Sequence, residues 1–192
     1  MQGDESERVV SRKIALLKKG NEEFVSGLSK DAFQKMSGSQ SPMIAILTCS
    51  DARIDPNRIF GLDIGDAFVV RVAGNSAIDK TVIGSLEYAV EHLHVNVILV
   101  LGHSNCGAAE AAKNDYIDND NIEMIVKDLR AAREHLPSEE SENADAIAEE
   151  NARAQMGILR QRSALIDELV SSGKLSIICA VLGLSNGRAR FL

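Results

Sequence analysis

Met43-Ile44-Ala45-Ile46-Leu47-Thr48-Cys49-Ser50-Asp51-Ala52-Arg53 and Val95-Asn96-Val97-Ile98-Leu99-Val100-Leu101-Gly102-His103-Ser104-Asn105-Cys106-Gly107 share one pattern. Each opens with an apolar run rich in branched side chains. Each closes on a short polar segment that carries a cysteine. An apolar run without alternation suits a strand buried on both faces, as in a parallel sheet. Residues 67–72 and 175–182 are runs of the same kind, and helical periodicity fills the intervals between runs. Strands alternating with helices predict an α/β fold. Its centre is a mostly parallel sheet of four strands plus a C-terminal edge strand, covered by helices in a Rossmann-like three-layer arrangement.

Outward from those runs, the other elements follow. Val10, Ile14, Leu17, Phe24 and Val25 predict a first helix over 7–25, and 30–41 reads as a loop or short helix. Pro42 introduces strand one, 43–48. Pro56 suits the first turn of a short helix over 56–60. Gly74-Asn75 ends strand two. Val82, Ile83, Leu86, Ala89, Val90 and Leu93 mark one face of a helix over 79–93, before strand three at 95–101. A helix then runs from about 105 to 113, followed by a polar loop at 114–120 and a helix over 122–136 that stops before Pro137. Residues 138–150 are acidic and read as solvated surface. Ala152, Met156, Leu159, Ile166, Leu169 and Val170 predict one long helix closed by Gly173. Strand four is 175–182, and Ser185-Asn186-Gly187 turns the chain into the edge strand, 188–192.

The chain has 192 residues, 45% of them hydrophobic, enough for one sizeable core; a single domain over 1–192 is expected. A formal net charge of −7 argues against a nucleic-acid partner. No long apolar span suggests a membrane helix, and the polar, acidic start lacks the features of a targeting peptide. A soluble, cytoplasmic protein is expected. Three cysteines are poor material for a disulfide framework. Cys179 sits inside strand four and reads as a buried core thiol.

Cys49, His103 and Cys106 follow two different strands. If those strands are neighbours, the three side chains converge at the carboxyl end of the sheet, where such folds bind ligands. Two thiolates and one imidazole are the set that zinc takes when one position is kept for water or substrate. Metal-bound water has its pKa lowered to about 7, which provides a nucleophile at neutral pH. Asp51 can fill the fourth position, or it can pair with Arg53 and leave the site open; the planar fork of Arg53 suits that pairing. A closed zinc that only braces the fold, and a metal-free core, are the plainer readings. His92, His94 and His135 read as exposed or capping side chains, and Arg71 as a brace for the site, a subunit contact or an ordinary ion pair.

The same residues resemble the β-class carbonic anhydrases. Cys49-Ser50-Asp51-Ala52-Arg53 and Gly102-His103-Ser104-Asn105-Cys106-Gly107 look like that family's two metal-site motifs. Gly20-Asn21-Glu22-Glu23-Phe24-Val25-Ser26-Gly27 is similar to its first-helix segment. Gly65-Asp66-Ala67-Phe68-Val69-Val70-Arg71 and Ala73-Gly74-Asn75 are similar to the stretch between the motifs. Ser185-Asn186-Gly187 with Phe191-Leu192 resembles its final hairpin. The resemblance implies one Zn2+ per subunit on Cys49, His103 and Cys106, with Asp51 as fourth ligand or as partner of Arg53. It implies reversible hydration of carbon dioxide to bicarbonate and a proton by zinc-bound hydroxide. It also implies a homodimer or dimer-based tetramer. Where some bacterial members hold a regulatory bicarbonate with Trp, Arg and Tyr, this chain has Ile46, Arg71 and Leu182, so that pocket is expected to be missing. Two rival readings are a carbonyl sulfide or carbon disulfide hydrolase on the same scaffold, and a catalytically silent zinc protein that serves in assembly.

Overall fold

The computed structural model describes residues 2–117 and 119–192. Met1, and Asp118 in the expected polar loop, lie outside the described residues. The chain forms two compact units, one up to Ser39 and one from Gln40 to Leu192. In the first, α1 (Gln2–Gly27) is followed by α2 (Lys30–Ser37). The Ser29 hydroxyl accepts from the Ala32 N–H and caps α2, so the shorter of the two expectations for this stretch, a helix, is the one found. Ile14, Leu17 and Phe24 of α1 are exposed.

The second unit is built on five strands: β1 (Ile44–Thr48), β2 (Ala67–Arg71), β3 (Val97–His103), β4 (Ser176–Gly183) and β5 (Arg188–Phe191). Their order in the sheet is β2-β1-β3-β4-β5. All pairs are parallel except β4 with β5. The α/β fold with a parallel four-stranded centre and an antiparallel edge strand is therefore the one expected. Among the described residues, the strands are joined by the α-helices α3 (Pro56–Phe60), α4 (Lys80–Glu91), α5 (Gly107–Ala111), α6 (Asp120–His135), α7 (Ala144–Arg162) and α8 (Ala164–Ser171), with a short 3-10 turn at Ala73–Asn75.

Alternate residues of the central strands enter different cores. Ala45, Leu47, Ile98 and Val100 pack with α4, α7 and α8 side chains, including Leu86, Ala152 and Ile166. Ile46, Leu99 and Leu101 pack on the opposite face with Ile54, Ala180 and Leu182. Burial on both faces is why these strands carry no polar alternation.

Among the departures from expectation, three have a physical reason in the packing. β3 runs on to His103 rather than stopping at 101. Its Gly102 lies against α7, where an added Cβ would be 3.1 Å from the Ala152 Cβ and 3.3 Å from the Ala148 carbonyl oxygen. The expected single long helix is two helices. Ser163 adopts an extended conformation between them, and its hydroxyl accepts from the Ile166 N–H to cap α8. The acidic stretch 138–150 is only partly solvated surface. Asn143 caps α7, whose first turns bury Ile147 and Ala148.

Candidate metal centre

The strand order reverses between β1 and β3: from β1 the chain moves outward to β2, then returns to β3 on the other side. The crevice at the carboxyl ends of such strands is where open α/β sheets place their sites. Cys49 directly follows β1, His103 ends β3, and Cys106 precedes α5. Their sulfur and ring-nitrogen atoms lie within 4.8 Å of one another. All three side chains are buried. Zinc–sulfur bonds run about 2.3 Å, so one ion can span donors this close.

Each donor is left available by its surroundings. His103 Nδ1 lies 2.9 Å from the Ser104 carbonyl oxygen. As a donor to that carbonyl, Nδ1 carries the proton and Nε2 keeps its lone pair. Nε2 is buried and has no hydrogen-bond partner, as a metal-ligating nitrogen requires. Cys106 occupies the N-cap position of α5, yet its side chain makes no capping bond. Cys49 Sγ accepts from the N–H groups of Gly74, at 3.3 Å, and Asp51, at 3.4 Å.

The adjacent Cys106 holds the Cys49 thiol below its ordinary range; burial opposes ionisation, but His103 and the Gly74 and Asp51 N–H groups also favour the thiolate. Cys106 is pushed up by the adjacent Cys49 and by burial. Burial also works against the imidazolium of His103, yet the Cys49 sulfur and the Ser104 carbonyl outweigh it and raise its pKa. This donor set of two sulfurs and one imidazole fits a metal ion with one position left over.

Asp51 is not part of the three-donor cluster. Arg53 Nε and Nη2 donate to Asp51 Oδ1 and Oδ2 at 2.9 and 2.7 Å, and the Arg53 N–H donates to Oδ1 at 2.9 Å. The guanidinium holds the Asp51 carboxyl well below the usual carboxylate range. Arg53 Nη2 also donates to the Asn105 carbonyl, at 3.1 Å, joining the two cysteine loops. Asn105 has φ +52°, a left-handed conformation that asparagine tolerates, and its N–H donates to Asp145 Oδ1 at 2.6 Å. Arg71 takes the bracing role among those foreseen for it. Its Nε donates to the Cys49 carbonyl at 3.1 Å and its Nη2 to the Asp51 carbonyl at 2.7 Å.

Several contributors escaped the sequence reading. Asp145 lies in the acidic stretch 138–150, whose composition reads as surface. Asn151 and Gln155 are fully buried on α7, and the Asn151 amide donates to the Gly74 carbonyl. Their signal was present: Ala148, Asn151, Ala152, Gln155 and Leu159 follow helical spacing on one buried stripe. A polar residue inside an apolar stripe needs a buried partner. Cys179 is a buried core thiol, as expected, and burial pushes its pKa up. His92 caps the end of α4 and is exposed.

Comparison with known proteins agrees with this geometry. The carbonic anhydrase family model matches residues 44–189. Carbonic anhydrase 2 of Mycobacterium tuberculosis is 36% identical over 187 residues, covering 90% of this chain and 88% of that protein. A tetrameric β-carbonic anhydrase of Sordaria macrospora superposes with a TM-score of 0.80 at 27% identity, covering 95% of this chain and 96% of that one. The Coccomyxa β-carbonic anhydrase in complex with acetazolamide superposes with a TM-score of 0.78 at 28% identity, covering 95% and 86%. On those matches, which span the sheet and both cysteine loops, the chain belongs to the β-class carbonic anhydrases, enzymes whose general reaction is the hydration of carbon dioxide.

Proposed function

We propose that this chain catalyses the reversible hydration of carbon dioxide to bicarbonate and a proton, with one zinc ion per subunit on Cys49, His103 and Cys106. The convergence of these three donors, beside an Asp51 turned away to Arg53, carries the reading. Bound there, zinc supplies a Lewis acid that brings the pKa of a water to about 7.

The chain's own residues orient the reactants. Asp51 accepts three hydrogen bonds from Arg53, two on Oδ1 and one on Oδ2. A carboxylate offers about four lone-pair sites, so one remains on Oδ2. It can accept an O–H from the reacting water and turn that water's lone pair toward carbon dioxide. Because Arg53 keeps Asp51 ionised, the carboxylate cannot donate, and only one water orientation is favoured. The Arg53 fork also keeps Asp51 out of the fourth ligand position. Ala109, Val126, Leu129 and Ile147 pack with the two cysteines, giving the site the apolar surroundings that suit an uncharged substrate.

A homodimer or dimer-based tetramer in the cytoplasm goes with this reading. The apolar side chains exposed on α1 and the open edge of β2 support assembly, as do the tetrameric relatives from Sordaria macrospora. Among the described residues, no helix is long and apolar enough to cross a membrane. The net charge of −7 does not suit a nucleic-acid partner.

Stopped-flow carbon dioxide hydration on zinc-loaded and chelator-stripped protein, with metal analysis, tests the proposal. Turnover should track zinc at one ion per chain. Asp51→Ala should keep the zinc and lose about 10²–10⁴-fold in kcat. Full turnover in the stripped protein, or in Asp51→Ala, would overturn the reading. Faster sulfide release from carbonyl sulfide would favour the sister hydrolase.

A further inference from the structure

We propose that Asn151 is a positioning residue for the metal centre, whose side-chain amide holds the Gly74 peptide so that the Gly74 N–H points at the Cys49 sulfur. The inference rests on the reading of Cys49, His103 and Cys106 as metal ligands.

Asn151 belongs to α7, far in sequence from both cysteine loops, and is fully buried. Its Nδ2 donates to the Gly74 carbonyl at 2.9 Å, and its Oδ1 accepts from Gln155 Nε2 at 3.0 Å. The direction of this chain of amides is set at its far end. The Ala77 N–H can only donate, and it takes Gln155 Oε1 at 2.8 Å. On its other side, Gln155 Nε2 donates to Asp128 Oδ2 at 3.2 Å, as the Ala77 bond to Oε1 requires. Gln155 Nε2 therefore faces Asn151 Oδ1, which leaves Asn151 Nδ2 for Gly74. Arg162 anchors the far end, donating to Asp128 at 3.2 Å and to the Ala77 carbonyl at 2.8 Å.

At the near end, the Gly74–Asn75 peptide is gripped on both sides. Asn151 holds its carbonyl, and its N–H donates to the Val72 carbonyl at 3.0 Å. Gly74 has φ +70°, and a Cβ there would be 2.6 Å from Leu129 Cδ1. Pinned in this way, Gly74 directs its own N–H to Cys49 Sγ at 3.3 Å. A hydrogen bond to a thiolate alters its strength as a metal donor. Residues that orient ligands typically change metal affinity by about 10–100-fold. Packing alone would not need the fixed donor direction that this network has.

Cobalt(II) loading of the full chain tests the proposal through thiolate-to-cobalt absorption and chelator competition. Asn151→Leu keeps about the same volume but removes the donor to the Gly74 carbonyl. It should weaken cobalt binding about tenfold or more and shift the absorption band. Ile166→Ala, a buried change in α8 that costs stability, should move neither. The inference fails if wild type binds cobalt and Asn151→Leu matches it, or if Ile166→Ala shifts both readouts as far. A wild-type chain that takes up no cobalt overturns the metal reading and this inference with it. Amide exchange in the native chain gives a reading that needs no variant. The Gly74 N–H should exchange slowly, and exchange at the rate of an open loop would overturn the proposal.

Discussion

Arg71 joins the ends of a short loop through backbone atoms. Its two bonds, to the Cys49 and Asp51 carbonyls, fix the segment that carries one candidate ligand and the candidate orienting carboxylate. Lysine has the charge but not the fork, so it cannot hold both carbonyls in the same geometry. Arg71→Lys should therefore weaken metal binding by about 10–100-fold in chelator competition, with the far-ultraviolet circular dichroism unchanged. Unaltered affinity would show that the loop holds its shape without the clamp. Gly74 faces a different constraint. Its φ is +70°, and a methyl group would press on Leu129 Cδ1 at 2.6 Å and on the Ala108 Cβ at 3.1 Å. Gly74→Ala should cost about 1–3 kcal/mol in urea unfolding. A variant as stable as wild type would mean that the turn relaxes freely.

At the level of elements, α7 is tied to the edge strand β5 by charge. Glu149 accepts from Arg190 of β5 and from Arg153 of its own helix. Partial burial pushes the Glu149 pKa up, but the two guanidinium groups outweigh it and the net shift is downward. A carboxyl with a lowered folded pKa contributes stability above the ordinary glutamate range, and that contribution is lost as pH falls through the folded value. Glu149→Gln should thus be less stable than wild type by about 0.5–1 kcal/mol at pH 7. The gap should close in urea titrations carried below about pH 4; a gap independent of pH would point to packing instead. The break between α7 and α8 was not legible in the sequence. No glycine or proline marks it, and Ser163 is one of many serines. Its capping bond to the Ile166 N–H is local, but its hydroxyl also donates to Glu87 of α4, a partner 76 residues away that exists only in the folded chain. The central strands β1 and β3 were legible because burial on both faces leaves its mark in the composition of each run, whatever its neighbours.

Over the whole second unit, the sheet order brings together residues that sequence separates. Cys49 and His103 read as ligands because each followed a strand, and the β1–β3 pairing, with Thr48 opposite Leu101, makes them neighbours. What supports them was hidden, since Asn151, Gln155 and Asp145 acquire their partners only when α7 packs across β3 and the cysteine loops. A centre assembled from such distant segments exists in the folded state and not in the unfolded chain. An ion that binds it must then stabilise the fold by mass action, by about 1.4 kcal/mol for each tenfold rise in free metal once the site is saturated. Thermal unfolding of wild type should accordingly rise with the logarithm of buffered free zinc. Cys106→Ser removes one donor from the buried cluster but leaves the Arg53 clamp on Asp51 intact, so its unfolding temperature should change far less over the same range. Equal slopes for the two chains would mean that zinc stabilises the protein somewhere other than at Cys49, His103 and Cys106.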